Sequence, residues 1–321
     1  MSKRVVVTGA FSYTGAAVAQ ELLRRGYTIH SLTNRRPVDE GSISFAPLRF
    51  EREHLKRELS DAHAFVNTYW VRLPYAGQSF ASAVQNSQVL IDAAVSAGVK
   101  RIVHISVSNA EEGKNLGYYA GKAQVDAYVR RCGVPYSIVR PTLIVGAADV
   151  LTNNIAWLLR RFPVFFIPGK SAYRLQPITL DDTARIIADA IEQQDNQEVD
   201  AAGPDMFTFA NYVELVATAC HVKRIMIRFP ERIIFATVQG IQSLLKDIIL
   251  TREELLGLKQ ELLISHKPPL GKESIAEWLQ IHGDQLGHQY ANDVKRHFGQ
   301  GRTKAILYVD KIGNLNIAKP S

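Results

Sequence analysis

Only two cysteines and three methionines occur in 321 residues. Cys132 and Cys220 share no metal or redox spacing, which argues against a disulfide framework and leaves both expected as reduced core residues. Long hydrophobic runs are equally scarce. None reaches the ~18 apolar residues that a bilayer-spanning helix needs. The most apolar stretch, IIFATVQGIQSLL (233–245), is interrupted by Gln239 and Gln242. No signal-peptide pattern precedes the VVV run near Met1, so a cytoplasmic protein is expected. His282, His288 and His297 are too widely spaced for a metal site on one helix, and none is expected. Internal repeats and low-complexity segments are absent.

Positive charge is present, with a formal net charge of +7. It falls in scattered pairs, Arg24–Arg25, Arg35–Arg36, Arg130–Arg131 and Arg160–Arg161, without interleaved aromatics. That pattern argues against nucleic acid and fits a field that draws in a phosphorylated ligand. The apolar spacing of FPERIIFATVQGIQSLLKDIIL is read as core or oligomer packing, with a homodimer and peripheral membrane contact left open.

The N-terminal half alternates short apolar runs with amphipathic ones. RVVVTG, YTIHSLT, APLRF, AHAFVNTYW, VKRIVHISV and PYSIVRPT read as strands. AAVAQELLRRG, EREHLKRELSD, SFASAVQNSQVLIDAAVSAG and GYYAGKAQVDAYVRRCG read as helices. Apolar strands separated by helices specify an α/β fold with a doubly wound parallel sheet covered on both faces. Beyond Thr142 the alternation loosens toward a smaller, mostly helical C-terminal lobe. ADVLTNNIAWLLRRFPVFFIPG reads as a helix running into an apolar loop, and DDTARIIADAIEQ as a helix capped by Asp181–Asp182. In ILTREELLGLKQELL, Thr251 and Glu254 stand at capping-box spacing. The expected division is a dinucleotide-type domain over 1–150, with 171–205 returning to it. A lobe then covers 151–170 and 206–298, and a tail covers 299–321.

The loop TGAFSYTG, residues 8–15, lies between the first strand and the first helix. Gly9 permits a sharp turn, Gly15 permits close helix–strand packing, and the N–H groups at the helix start would face a pyrophosphate. Ser12 replaces the usual middle glycine; its hydroxyl could itself donate to a phosphate oxygen. The second strand ends SLTNRR, with no carboxylate for a ribose 2′-OH. Asn34, Arg35 and Arg36 suit a 2′-phosphate instead, which favours NADP(H) over NAD(H).

Tyr118 and Lys122 stand four residues apart on one helix face, following a strand that ends at Ser106 and Ser108. A neighbouring ammonium stabilises a phenolate, so the pair suits proton transfer coupled to hydride transfer, with a serine hydroxyl on the substrate oxygen. Tyr119 competes for the role of Tyr118. His104, within an apolar strand, is read as a satisfied core histidine.

With these residues in place, the chain resembles the extended and atypical short-chain dehydrogenase/reductase superfamily. The match runs in order through TGAFSYTG, VQNSQVLIDAAVSAGVKRIVHIS, YYAGK, SIVRPTLIVG, RLQPITLDDTA and AAGPDMFTF. Within that superfamily it is similar to the NAD(P)H-binding, epimerase/dehydratase-like branch, which includes a complex I accessory subunit and a nitrogen-metabolite-repression regulator. The resemblance implies a Rossmann sheet and a phosphate loop at Gly9, Ser12 and Gly15, with Phe11, Tyr13 and Thr14 contributing backbone or packing. It implies catalytic roles for Tyr118, Lys122 and Ser108, with Ser106 at the cofactor. Asn67, Thr68 and Tyr69 would flank the nicotinamide ribose, and Pro141, Thr142, Leu143 and Ile144 would line the nicotinamide. Asn86 matches a helix asparagine of the extended members, while Asn153, Asn154 and Trp157 could face a small-molecule substrate or equally belong to a packing helix under the sheet edge. Two functions follow. One is an NADP(H)-dependent oxidoreductase acting on a carbonyl or hydroxyl, and this is favoured. The other is a non-catalytic NADP(H)-binding sensor or assembly protein.

Overall fold

In the computed structural model, residues 2–35, 41–169, 172–229 and 251–298 are described. They divide into two compact units. Described residues 2–141 and 180–201 belong to the first, and residues 142–179 and 202–298 to the second.

The first unit is built on a seven-stranded, all-parallel sheet. Its elements in chain order are β1 (Arg4–Thr8), α1 (Tyr13–Arg24), β2 (Thr28–Leu32), β3 (Ile43–Ala46), α2 (Arg52–Leu59) and β4 (Ala64–Asn67). Then come α3 (Phe80–Ser96), β5 (Ile102–Ile105), α4 (Gly117–Val129) and β6 (Tyr136–Pro141). After an excursion into the second unit the chain returns as α6 (Leu180–Glu192) and β11 (Gln197–Ala201). The strand order is β11-β6-β5-β4-β1-β2-β3. Val5, Val6 and Val7 of β1 are fully buried, as a central strand covered on both faces requires. Helices α2, α3 and α4 pack in a row, and α1 packs with α6. The strand order reverses between β1 and β4, and in open parallel sheets the crevice beyond the carboxyl ends at such a point is where ligands bind.

The third strand is ISFA rather than APLRF. Pro47 has no N–H to donate to the ladder, so pairing with β2 stops at Ala46.

The second unit comprises β7 (Leu143–Val145), α5 (Val150–Arg161), β8 (Val164–Pro168), β9 (Arg174–Leu175), β10 (Pro177–Thr179), β12 (Phe207–Thr208), α7 (Phe209–Ala219) and β13 (Ile225–Phe229). It continues with α8 (Arg252–Lys259), α9 (Ile275–His282) and α10 (Asp293–Phe298). Its core gathers Ile155, Leu159, Tyr212, Val213, Val216 and Leu279. The apolar run VFFIP is a strand, not a loop, because it pairs in parallel with β13. Thr251 and Glu254 form the expected capping box of α8. Asp181 and Asp182 lie inside the first turn of α6 rather than ahead of it, where carboxylates still complement the helix dipole. Most of FPERIIFATVQGIQSLLKDIIL and residues 299–321 fall outside the described residues. Both cysteines are free thiols, Cys220 buried and Cys132 half-buried.

No described helix is long and apolar enough to cross a membrane. No described cluster of histidine, cysteine and acidic side chains could hold a metal ion.

Candidate functional site

The loop between β1 and α1 is a close-packed turn. Gly9 adopts φ +66°, a left-handed conformation that suits glycine. A Cβ at Gly15 would lie 2.1 Å from the Gly9 carbonyl oxygen, so no side chain fits there. Ser12 has φ −96°, which any residue adopts. Its hydroxyl donates to the Gly9 carbonyl at 2.6 Å, and its N–H donates to the same oxygen at 2.8 Å. The serine therefore turns inward and ties the loop, rather than reaching outward. The first helical backbone bond runs from the Ala16 N–H to the Ser12 carbonyl. The preceding N–H groups are thus directed at the helix mouth, where the first turn carries no acidic residue. Phe11 is buried with its ring edge-on to Phe45. Tyr13 and Thr14 begin α1. The cradle is sterically and electrostatically suited to a pyrophosphate.

Beside it, Thr68 ties the end of β4 to the end of β1. Its N–H donates to Thr8 Oγ1 at 2.8 Å and its hydroxyl donates to the Thr8 carbonyl. Asn67 is fully buried; its Oδ1 accepts from the Tyr69 N–H at 3.1 Å. The Tyr69 hydroxyl accepts from Asn86 Nδ2 at 2.9 Å. Burial raises the pKa of that phenol, and the Asn86 bond works against the rise. At the end of β2, Asn34 forms a two-way clasp with the Leu48 backbone, Nδ2 to O at 3.1 Å and N to Oδ1 at 3.0 Å. The Arg35 N–H is fixed by Thr33 Oγ1 at 3.1 Å. Asn34 therefore shapes the turn that carries Arg35. Arg36 lies outside the described residues.

The Tyr118–Lys122 helix face packs against an aromatic group that the sequence did not flag. Tyr118 meets Trp70, Phe80 and Tyr119 edge-on, with ring centroids 6.0, 5.9 and 5.5 Å apart. Tyr118 is half-buried, whereas Tyr119 is buried. Lys122 is buried; its ammonium donates to the Ile105 carbonyl at 2.7 Å and lies 4.5 Å from the centre of the Trp70 ring. Close approach of that indole depends on Gly121, where a Cβ would sit 2.9 Å from the Trp70 ring. Burial lowers Lys122 to about 7, although the Asp126 carboxylate favours the ammonium. Ser106 and Ser108 are buried, and the Ser108 N–H donates to the Pro141 carbonyl at 3.0 Å. The loop, the β4 end and the Tyr118–Lys122 face thus all belong to the first unit.

The remaining expected residues belong to the second unit. Thr142 is buried and donates to the Gln176 carbonyl. Leu143 and Ile144 pair with β10. Asn153 binds the Gly287 N–H and the Gln289 carbonyl, and Asn154 makes a two-way clasp with the Ala291 backbone. These asparagines satisfy an irregular segment's backbone, which a buried loop demands. Trp157 packs against Phe162 and Tyr290, with the Arg161 guanidinium over its ring.

A family model described as the NmrA-like family matches residues 1–200. The chain is 24% identical over 226 residues to NADH dehydrogenase [ubiquinone] 1 alpha subcomplex subunit 9, mitochondrial, of Dictyostelium discoideum. That match covers 65% of this chain and 62% of the relative, so the chain spans about three-fifths of the length of this curated relative. Among solved structures, MoeE5 in complex with UDP-glucose and NAD aligns with a TM-score of 0.65 at 16% identity, covering 88% of this chain and 98% of that one. Bordetella bronchiseptica WbmH in complex with NAD+ aligns with a TM-score of 0.62 at 16% identity, covering 71% of this chain and 87% of that one. At these identities the structural likeness establishes the fold.

Proposed function

Because the chain belongs to the NmrA-like family, we propose that it binds a dinucleotide at residues 9–15, and NADP(H) in preference to NAD(H). The observation that carries this reading is the Gly15 contact. A helix start pressed against the Gly9 carbonyl with no room for a methyl group is the close helix–strand packing that sets the N–H groups of the α1 mouth where a pyrophosphate would lie. The preference for the 2′-phosphate rests on the SLTNRR turn, where Arg35 stands in place of a carboxylate.

NADPH, when bound, supplies a hydride. The chain's own part is proton transfer and orientation. Tyr118 would give a proton to the substrate oxygen, Lys122 would favour the phenolate left behind, and Ser108 would hold that oxygen. A lysine near 7 can be charged or neutral at working pH, which suits that task. The substrate would be a small-molecule carbonyl or its alcohol. The test is NADPH oxidation against a panel of carbonyl compounds. Tyr118→Phe should lower any turnover by about 100-fold or more; undiminished turnover in that variant removes the mechanism.

A second reading draws on one observation, the Trp70 indole lying over Lys122. If that cover is permanent, the protein is a non-catalytic NADP(H)-binding sensor or assembly partner. The likeness to a protein named as a subunit of a larger dehydrogenase supports the same reading. NADPH binding without oxidation in the natural chain, with turnover gained in Trp70→Ala, would decide for it, and oxidation by the natural chain would decide against it.

A further inference from the structure

Behind Lys122, between β5 and α4, lies a polar cluster in an otherwise apolar layer. His104 and Asp126 are fully buried and Ser106 nearly so. The side-chain atoms His104 Nε2, Ser106 Oγ and Asp126 Oδ1 have no hydrogen-bond partner among the described residues. Leaving such atoms unsatisfied costs about 1–3 kcal/mol each. A cluster that retains all three calls for a reason.

The bland account is a staple. Asp126 Oδ2 accepts from Arg140 Nε and Nη2, both at 3.2 Å, and Arg140 Nη2 reaches Glu198 Oε2 at 2.5 Å. This line joins α4 to β6 and β11. It uses only one oxygen of Asp126, however, and leaves Oδ1 turned inward, 3.6 Å from His104 Nε2. His104 Nδ1 lies 3.3 Å from Asn67 Nδ2. That nitrogen therefore accepts, and the proton of the neutral ring sits on Nε2, aimed at Asp126. Burial and the charges of Lys122 and Arg140 hold His104 well below its ordinary pKa, in keeping with a neutral ring. Burial raises the Asp126 carboxyl above its ordinary pKa, while Ser106, Arg140 and Lys122 each work against that rise and favour the ionised form.

The uncommitted oxygen lies on the helix one turn beyond Lys122. The lysine's hydrogen bond goes to Ile105, the residue between His104 and Ser106. A buried ammonium needs a counter-charge. The Trp70 face contributes on one side. We propose that Asp126 is the positioning residue for Lys122, its inward oxygen steadied by His104 and Ser106 so that the lysine keeps its place and charge inside the sheet. The charged and titratable groups around it are Lys122, His104, Arg140 and, through Arg140, Glu198; Arg130 also feels its charge. The role matters for function only through the reading of Lys122 as the working lysine.

The test needs no turnover. The ligand-free full chain, carrying 13Cε-labelled lysine, is titrated by 1H–13C NMR, with Lys122 assigned by Lys122→Met. Asp126→Asn should move the Lys122 midpoint down by about one pH unit, because an opposing charge has been removed. Asp126→Glu should return it at least part of the way. An unmoved midpoint in folded Asp126→Asn overturns the proposal and leaves the staple. Should that variant not fold, Asp126→Ser, which also removes the carboxylate charge, carries the test: a downward move of the Lys122 midpoint supports the proposal and none overturns it. No cofactor is added, so failure of the dinucleotide reading and failure of this proposal are separate results.

Discussion

Two glycine substitutions should separate the ligand-binding loop from ordinary turns. In Gly15→Ala the new methyl would lie 2.1 Å from the Gly9 carbonyl oxygen, 2.8 Å from its carbon and 3.0 Å from Ser12 Oγ. Carbon–oxygen contacts settle near 3.3 Å or beyond, so α1 or the loop must retreat by about 1 Å. Overpacking of this kind costs ~1–3 kcal/mol of stability. The retreat also draws the helix mouth away from a phosphate. Loss of a single charge-assisted hydrogen bond, ~1.5–3 kcal/mol, weakens binding by about 10- to 150-fold. Gly26 is the control. Its φ of +83° makes alanine strained, yet a Cβ there meets nothing within 4 Å. Gly26→Ala should cost about 1–2 kcal/mol through its backbone alone and leave NADPH affinity unchanged. Urea unfolding and fluorescence titration with NADPH read both quantities. If Gly15→Ala lost stability but bound NADPH as tightly as the natural chain, the loop would be a tight turn and no more.

Three further outcomes are expected. Arg35→Ser should weaken NADPH by about 10-fold or more while sparing NADH, as removal of a guanidinium–phosphate contact requires; equal losses for both, by parallel titration, would place Arg35 elsewhere. Asn154→Ala strips the Ala291 N–H and carbonyl of buried partners and should cost about 2 kcal/mol or more in urea unfolding, with NADPH affinity unaltered. Burial lowers Lys122 from its unfolded value to about 7, so between about pH 7 and pH 10 the unfolded chain holds the extra proton and folding stability gains with rising pH. Lys122→Met should lack that gain, which cannot exceed about 1.4 kcal/mol per pH unit, when unfolding is compared at pH 7 and pH 9.

What could be read from the chain was local. RVVVTGAFSYTG announces a buried strand, a turn and a helix within one window, and Tyr118–Lys122 is one helical turn. The misread elements depend on distant partners. VFFIP becomes a strand because Ile225–Phe229 lies beside it, and no window around it carries that fact. For Asn153 and Asn154 the choice between a ligand-facing and a packing role stayed open in the chain, because the backbone they bind, residues 287–291, lies far downstream. Ser12 looked like an outward donor, yet the Gly9 carbonyl three residues earlier, which also accepts the Ser12 N–H, offers its hydroxyl a nearer acceptor. Asp126 could have been found, since a carboxylate at i+4 on the buried side of a working lysine is a legible signal. Trp70 could not, because its contact with Lys122 rests on the turn after β4 and on the missing side chain at Gly121.

The central claim is that residues 9–15 hold a dinucleotide, and calorimetric titration of the full chain with NADPH tests it most directly. The account predicts saturable one-to-one binding, tighter for NADPH than for NADH and weakened by Gly15→Ala. A folded natural chain that takes up neither nucleotide at millimolar concentration would contradict it.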